Sequence, residues 1–218
     1  MTKSPVLRIL DDEKLRAIRI QAELVREGEF FLAGGTGLGL HLGHRCSRDL
    51  DWFTARDFDA TELKQKLENL REKPTKLEQH GRRTLRAYYG ELETSFILYQ
   101  QVKGHPQPFK VAGTEIPVAD VELLAAMKAG AVHGRGSRRD FIDIHAISGQ
   151  PGWSVGRFIE QAAKKLPLRS EEVARALTYF ADAEREPMPE GYVGSWEKVK
   201  RDLSAGVRQW ERTRDIER

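Results

Sequence analysis

Cysteine is nearly absent: Cys46 is the only one in 218 residues. No intramolecular disulfide can form, and no thiolate-ligated metal cluster is available. No apolar run approaches the roughly 20 residues that a bilayer-spanning helix needs. The opening MTKSPVLRILDDEKLRAI lacks the apolar stretch of a secretory signal, so a cytoplasmic protein with no membrane partner is expected. A dominant charge sign is missing too, since 36 basic and 33 acidic residues leave a net charge of +3. That balance neither demands nor excludes nucleic acid. Internal repeats and low-complexity tails are also lacking, and the length suits one core with at most a helical extension.

Several catalytic signatures are missing as well. The run GGTGLGL has Leu40 where a dinucleotide fingerprint needs its third glycine, and it lacks the Lys-Ser/Thr ending of a P-loop. No serine stands in a nucleophile elbow, so acyl transfer has no support. His41 and His44 share a predicted helix face, but no third ligand is near them in sequence.

What is present reads as an α/β half followed by a helical half. Asp11 or Asp12 caps a first helix that runs to about Glu27, with Leu15, Ile18, Ala22 and Val25 as its apolar stripe and Gly28 as its end. A short strand is expected over 30–33, a helix over 37–43, a strand over 49–54 and a helix over 58–70. Strands are expected over 75–80, 84–89 and 93–100, with turns at Gly81 and Gly90. A Gly/Pro loop spans 103–108 and a strand 114–118. Helices then follow over 120–132, 137–147, 154–165, 170–183 and 195–216, punctuated by Pro151, Pro167, Pro187 and Pro189. The fold class is α/β (α+β), with expected domains at 1–118 and 119–218.

The densest chemistry lies in FFLAGGTGLGLHLGHRCSRDLDWF, residues 30–53. In a strand, Asp49 and Asp51 would present both carboxylates to one face while Leu50 and Trp52 turn into a core. Two close carboxylates repel unless a cation lies between them, and hard oxygen ligands suit Mg²⁺. The glycine pair Gly34-Gly35 turns a strand into a helix whose N-terminus can meet phosphate. Together these features point to metal-assisted chemistry on a nucleoside triphosphate. The competing reading is an edge strand whose aspartates are solvated or paired with Arg45 or Arg48.

Further along, Lys128 falls in the middle of an apolar helix face with Val121, Leu124, Ala125, Ala131 and Val132. A lysine there needs an anion, either a carboxylate or a phosphate, unless it snorkels to water. Asp140 and Asp143 are i, i+3 neighbours on the next helix. Between Glu62 and Arg86 eight bases face four acids, either a solvated surface or a contact surface for a phosphate backbone.

These residues resemble a known family. The first stretch is similar to the leading motif of the AbiEii/AbiGii toxin family, G-G-T-x-L-x-L-x-x-x-x-R-x-S-x-D-L-D-x-F, through Gly34, Gly35, Thr36, Leu38, Leu40, Arg45, Ser47, Asp49, Asp51 and Phe53. The stretch VADVELLAAMKAGAVHGRGSRRDFIDIHAI resembles its second block, with Lys128, Arg135, Asp140 and Asp143 in matching places. The resemblance implies a polymerase-β-like nucleotidyltransferase core with a mixed sheet and an appended helical domain.

It further implies Mg²⁺ on Asp49 and Asp51, and an NTP whose triphosphate is cradled by Gly34, Gly35, Thr36 and Ser47 with help from Arg45. Lys128 would grip a phosphate from the side, and Asp140 would serve as base or as the orienting partner of Lys128. The acceptor would be tRNA, another RNA or a protein, with RNA favoured by the basic segment, and the cognate antitoxin a transcriptional regulator. Proteins of this fold carry a third carboxylate on a following strand. Here GELETSFILYQ puts Ser95 at that place, leaving Glu93 or Asp140 to substitute. The rival expectation is a catalytically weakened protein of the same fold that binds nucleotide or a partner protein.

Overall fold

The computed structural model describes residues 9–100, 106–111 and 114–216. It divides into two compact units, the first ending at Asp120 and the second starting at Val121.

The first unit is built on a seven-stranded mixed sheet. Its strands are β1 (Phe31–Leu32), β2 (Leu50–Thr54), β3 (Lys76–Gln79), β4 (Thr84–Tyr89), β5 (Leu92–Leu98), β6 (Gln107–Val111) and β7 (Thr114–Val118), in the order β3-β4-β5-β2-β1-β7-β6. The pairs β2–β5 and β1–β7 are parallel, and the others antiparallel. Gly81 and Gly90 sit at the expected turns with φ of +73° and +63°, a conformation that glycine adopts without strain.

Helix α1 (Asp12–Glu27) starts where the Asp11 carboxylate accepts from the Lys14 backbone N–H at 2.9 Å. Its Leu15, Ile18, Leu24 and Val25 pack with Leu32, Leu50, Trp52, Leu85, Ala87, Leu92 and Phe96 of the sheet. Helix α3 (Ala60–Glu68), capped by Asp59, adds Leu63 and Leu67 to this core. Since side chains alternate along a strand, Asp51, Phe53, Ser95 and Arg86 belong to the other face. Helix α2 (Gly34–Leu42) follows β1, and its Leu40 packs against the core.

Several boundaries differ from the sequence expectation. Helix α2 begins at Gly34 rather than residue 37, because the φ of Gly34 (+60°) makes the turn at the helix's own first residue. Asp49 directly precedes β2 instead of lying within it. Strand β6 occupies part of the expected loop, whose residues 103–105 fall outside those described. Pro108 argued against a strand there, but β6 is an edge strand, where a missing N–H is tolerated.

The second unit is helical: α4 (Val121–Gly134), α5 (Arg138–Ser148), α6 (Val155–Lys165), α7 (Ser170–Ala176), a 3-10 turn (Ala183–Arg185) and α8 (Trp196–Ile216). Its core includes Leu124, Phe141, Ile144, Phe158, Ile159, Val199 and Leu203, all fully buried. Helix α7 stops at Ala176, short of the expected 183. The chain leaves the helix so that Phe180 can pack against Phe141 and Trp196, with ring centroids 4.9 and 5.7 Å away.

Candidate active site

The first cluster forms where α2 starts beside β2. Ala33 donates its N–H to the Asp51 carbonyl at 2.9 Å, locking the end of β1 to β2. The backbone then passes so close to the aspartate that a Cβ on Gly34 would lie 2.1 Å from Asp51 Oδ2. A Cβ on Gly35 would lie 2.7 Å from both Arg45 Nη2 and Ser47 Oγ. Thr36 donates its hydroxyl to the Asp49 carbonyl at 2.5 Å. Arg45 is buried and donates to the Cys46 carbonyl at 2.9 Å.

Seven sequence-selected residues are therefore gathered in one place: Gly34, Gly35, Thr36, Arg45, Ser47, Asp49 and Asp51. The cap residue of α2 is Ala33, whose side chain offers no acceptor to the first-turn N–H groups. A helix start of this kind suits phosphate.

Asp51 stands opposite Ser95 in the parallel pair β2–β5, and Ser95 stands opposite Arg86 across β5–β4. Glu93, two residues before Ser95 on the same face, turns its carboxylate along the strand toward Ser95. Its Oε1 accepts from Ser95 Oγ and pairs with Arg86 Nε, each at 3.2 Å. The Tyr88 hydroxyl approaches its other oxygen at 3.3 Å. Behind this face, Trp52 donates its indole N–H to Gln21 Oε1 at 2.8 Å, and Gln21 Nε2 donates to Thr94 Oγ1 at 3.0 Å. That buried polar bridge ties α1 to both strands.

Among the described residues, no three His, Cys, Asp or Glu side chains converge as a ready-made metal cage. Mg²⁺ does not need one: it keeps waters and takes one or two carboxylates plus substrate phosphates. Asp49 and Asp51, two carboxylates beside the uncapped start of α2, fit that donor set in kind.

The second cluster lies wholly in the helical unit. Lys128 is buried, and its ammonium lies 2.8 Å from Asp140 Oδ1 and 2.7 Å from Asp143 Oδ2. Asp140, fully buried, also accepts from Arg135 Nε at 3.1 Å and Ser137 Oγ at 2.5 Å. Burial alone would push its pKa up, but Lys128 and Arg135 override that and hold it down at about 2. Burial would likewise lower the Lys128 ammonium, and the Asp143 and Asp140 charges raise it above its ordinary value instead.

The anion that a lysine on this face requires is thus a carboxylate pair. For Asp140 the geometry favours the orienting role over that of a base, because a carboxyl held ionised down to about pH 2 has little tendency to take a proton. The place of Asp143 as second partner was missed in the sequence, although its i, i+3 spacing from Asp140 carried the signal.

The expected basic surface is largely neutralised locally. Lys66 pairs with Glu27, Lys76 with Glu78, Arg82 with Asp59, Arg83 with Asp57 and Arg86 with Glu93. His41 bonds the Ala119 carbonyl at 2.8 Å, a structural role. Among the described residues, no helix is long and apolar enough to cross a membrane.

This arrangement of sheet, glycine turn and paired aspartates has the fold of a nucleotidyltransferase. A putative nucleotidyltransferase from H. pylori superposes with a TM-score of 0.57 at 14% identity, covering 100% of this chain and 99% of that one. MenT4, a nucleotidyltransferase toxin of Mycobacterium tuberculosis, superposes with a TM-score of 0.54 at 16% identity, covering 95% and 90%. A nucleotidyltransferase-like protein of Paracoccidioides brasiliensis gives 0.52 at 17% identity, covering 92% and 94%.

The sequence narrows this class to a family. The chain belongs to the AbiEii nucleotidyltransferase toxins of type IV toxin–antitoxin systems, whose sequence model matches residues 22–212. An uncharacterised protein of Aquifex aeolicus is 29% identical over 210 residues, 94% of this chain and 98% of its own.

Proposed function

We propose that this toxin transfers a nucleoside monophosphate from an NTP to a hydroxyl on RNA, with tRNA the leading candidate, in a Mg²⁺-dependent reaction. The observation that carries the reading is the close approach of the Gly34 backbone to Asp51, beside Gly35, Arg45 and Ser47. It brings the Asp51 carboxylate beside the helix start to which the reading assigns the triphosphate.

Asp49 and Asp51 would hold the metal. Mg²⁺ held by these carboxylates would supply electrostatic stabilisation of the charge that develops on the leaving pyrophosphate. The first-turn N–H groups of α2 and the Ser47 hydroxyl receive the triphosphate, Thr36 ties the Asp49 backbone to the helix start, and Arg45 adds positive charge from a buried position. Lys128 uses two carboxylates as partners. Asp140 orients Lys128 and is a positioning residue. The exposed guanidinium groups of Arg82 and Arg83 support an RNA acceptor. NTP and tRNA place the activity in the cytoplasm, and the antitoxin partner is a transcriptional regulator.

The test is calorimetry with Mg²⁺ and each NTP, then incubation with labelled NTP and total RNA, for native protein and Asp51→Asn. The reading requires label on RNA from native protein only. Nucleotide binding with no label transferred by either protein would instead identify a binding protein without turnover.

A further inference from the structure

An attacking hydroxyl must lose its proton as it bonds to phosphorus, and a positioned side chain commonly takes it. Asp49 and Asp51 are committed to the metal in the reading above, and Asp140 is fully buried with both oxygens engaged by Lys128, Arg135 and Ser137. On the sheet face that carries Asp51, the side chain directly opposite is Ser95, a weak base alone. Its hydroxyl already donates to Glu93 Oε1 at 3.2 Å, so the Ser95 oxygen keeps its lone pairs for another donor. Glu93 is partly exposed, and Arg86 fixes the same carboxylate oxygen from β4 at 3.2 Å.

We infer that Ser95 and Glu93 form a two-residue proton relay that does the work of a single acid at position 95. The inference rests on the proposed reading of Asp49 and Asp51. The acceptor hydroxyl gives its proton to Ser95 Oγ as the Ser95 proton passes to Glu93 Oε1. The acceptor oxygen forms a bond to the α-phosphorus, the bond from that phosphorus to the bridging oxygen breaks, and pyrophosphate leaves with the electron pair. Glu93 then returns its proton to water.

The test uses Glu93→Gln, Ser95→Ala, Arg86→Gln, Asp51→Asn and the double variant Glu93→Gln/Ser95→Asp. Each is assayed for Mg²⁺–NTP affinity, turnover, the pH profile of kcat/KM, and melting temperature. A base that does not touch the triphosphate predicts that E93Q keeps NTP affinity within about twofold while turnover falls about 10²–10⁴-fold. The acidic limb of the pH profile disappears with it. Ser95→Ala falls in the same direction. The double variant regains turnover and an acidic limb, because its new carboxylate faces Asp51 directly. Arg86→Gln removes the partner that fixes Glu93 but leaves its carboxylate, so turnover falls by less than in E93Q and the acidic limb remains.

Unchanged turnover in E93Q overturns the relay, as does a double variant no better than E93Q. An Arg86→Gln protein as impaired as E93Q would show the ion pair to be what matters, and it overturns the relay too. Should Asp51→Asn also keep full activity, the reading of the metal site fails first. A melting temperature for E93Q matching that of native protein excludes unfolding as the cause of any loss, and if E93Q melts early, the Ser95→Ala result decides.

Discussion

Gly34 and Asp51 are in contact through backbone and carboxylate: a β-carbon on Gly34 would stand 2.1 Å from Asp51 Oδ2. Asp51 is a side chain and can swing away, so Gly34→Ala would displace the carboxylate rather than break the fold. The added strain comes from φ of +60°, which costs an L-residue about 1–2 kcal/mol. A melting temperature lower by a few degrees is expected, with transfer activity falling much further than stability. Differential scanning calorimetry beside a labelled-NTP assay checks both, and activity within twofold of native would refute the contact's importance.

Gln21 and Trp52 make a second such pair, buried behind the same strand. Trp52→Phe leaves Gln21 Oε1 without its 2.8 Å donor and opens space in the core. An unpaired buried acceptor costs about 1–3 kcal/mol, before any cavity cost. Gln21→Leu leaves the indole N–H unpaired instead and costs a similar amount. Urea titration reads either loss as a lower midpoint with an unchanged slope. The two losses should not add in the double variant, because the partners share one interaction.

The sequence showed the first cluster well because its signals are local. A glycine pair after an apolar run and an alternating Asp-Leu-Asp both depend on residues within one turn or strand, and Thr84–Tyr89 and Thr114–Val118 match their observed limits for the same reason. Long-range information was beyond reach. That Ser95 faces Asp51 follows from strand register between β2 and β5, and that Glu93 reaches back to Ser95 follows from a rotamer held by Arg86 on a third strand. Lys128 announced its need for an anion, but only packing of α4 on α5 decides which one.

The Lys128–Asp140–Asp143 cluster fixes a pH dependence. Asp140 has a folded pKa of about 2 against an ordinary 3.8. A depressed carboxyl contributes stability that is complete above the unfolded value and disappears as pH falls from about 4 to about 2, here roughly 2 kcal/mol. Lys128 is raised above 10.5, so its contribution holds below that value and is lost as pH climbs beyond it.

Lys128→Met should cost about 3–5 kcal/mol near neutrality, since it leaves two buried carboxylates with less positive charge. One of them then titrates above its unfolded value, so this variant should gain stability as pH drops from 7 toward 5 while native protein stays level. Melting curves at pH 5 and 7 give the sign directly, and a flat variant profile would contradict the account.

Arg82 and Arg83 test the acceptor. Their side chains are exposed, 88% and 55%, and their acid partners Asp59 and Asp57 lie on the same surface. Charge reversal to glutamate at both positions should leave the melting temperature essentially unchanged, because neither side chain supports a core. If this surface meets RNA, each arginine neutralises one phosphate and releases its counterion. The double variant should then bind RNA more weakly, and the slope of log affinity against log salt should shrink by roughly 1–1.5. NTP affinity, set at the start of α2 and at Asp49 and Asp51, should stay where it was. A salt slope identical to native would remove this surface from the acceptor site and leave the paired charges as a solvated face.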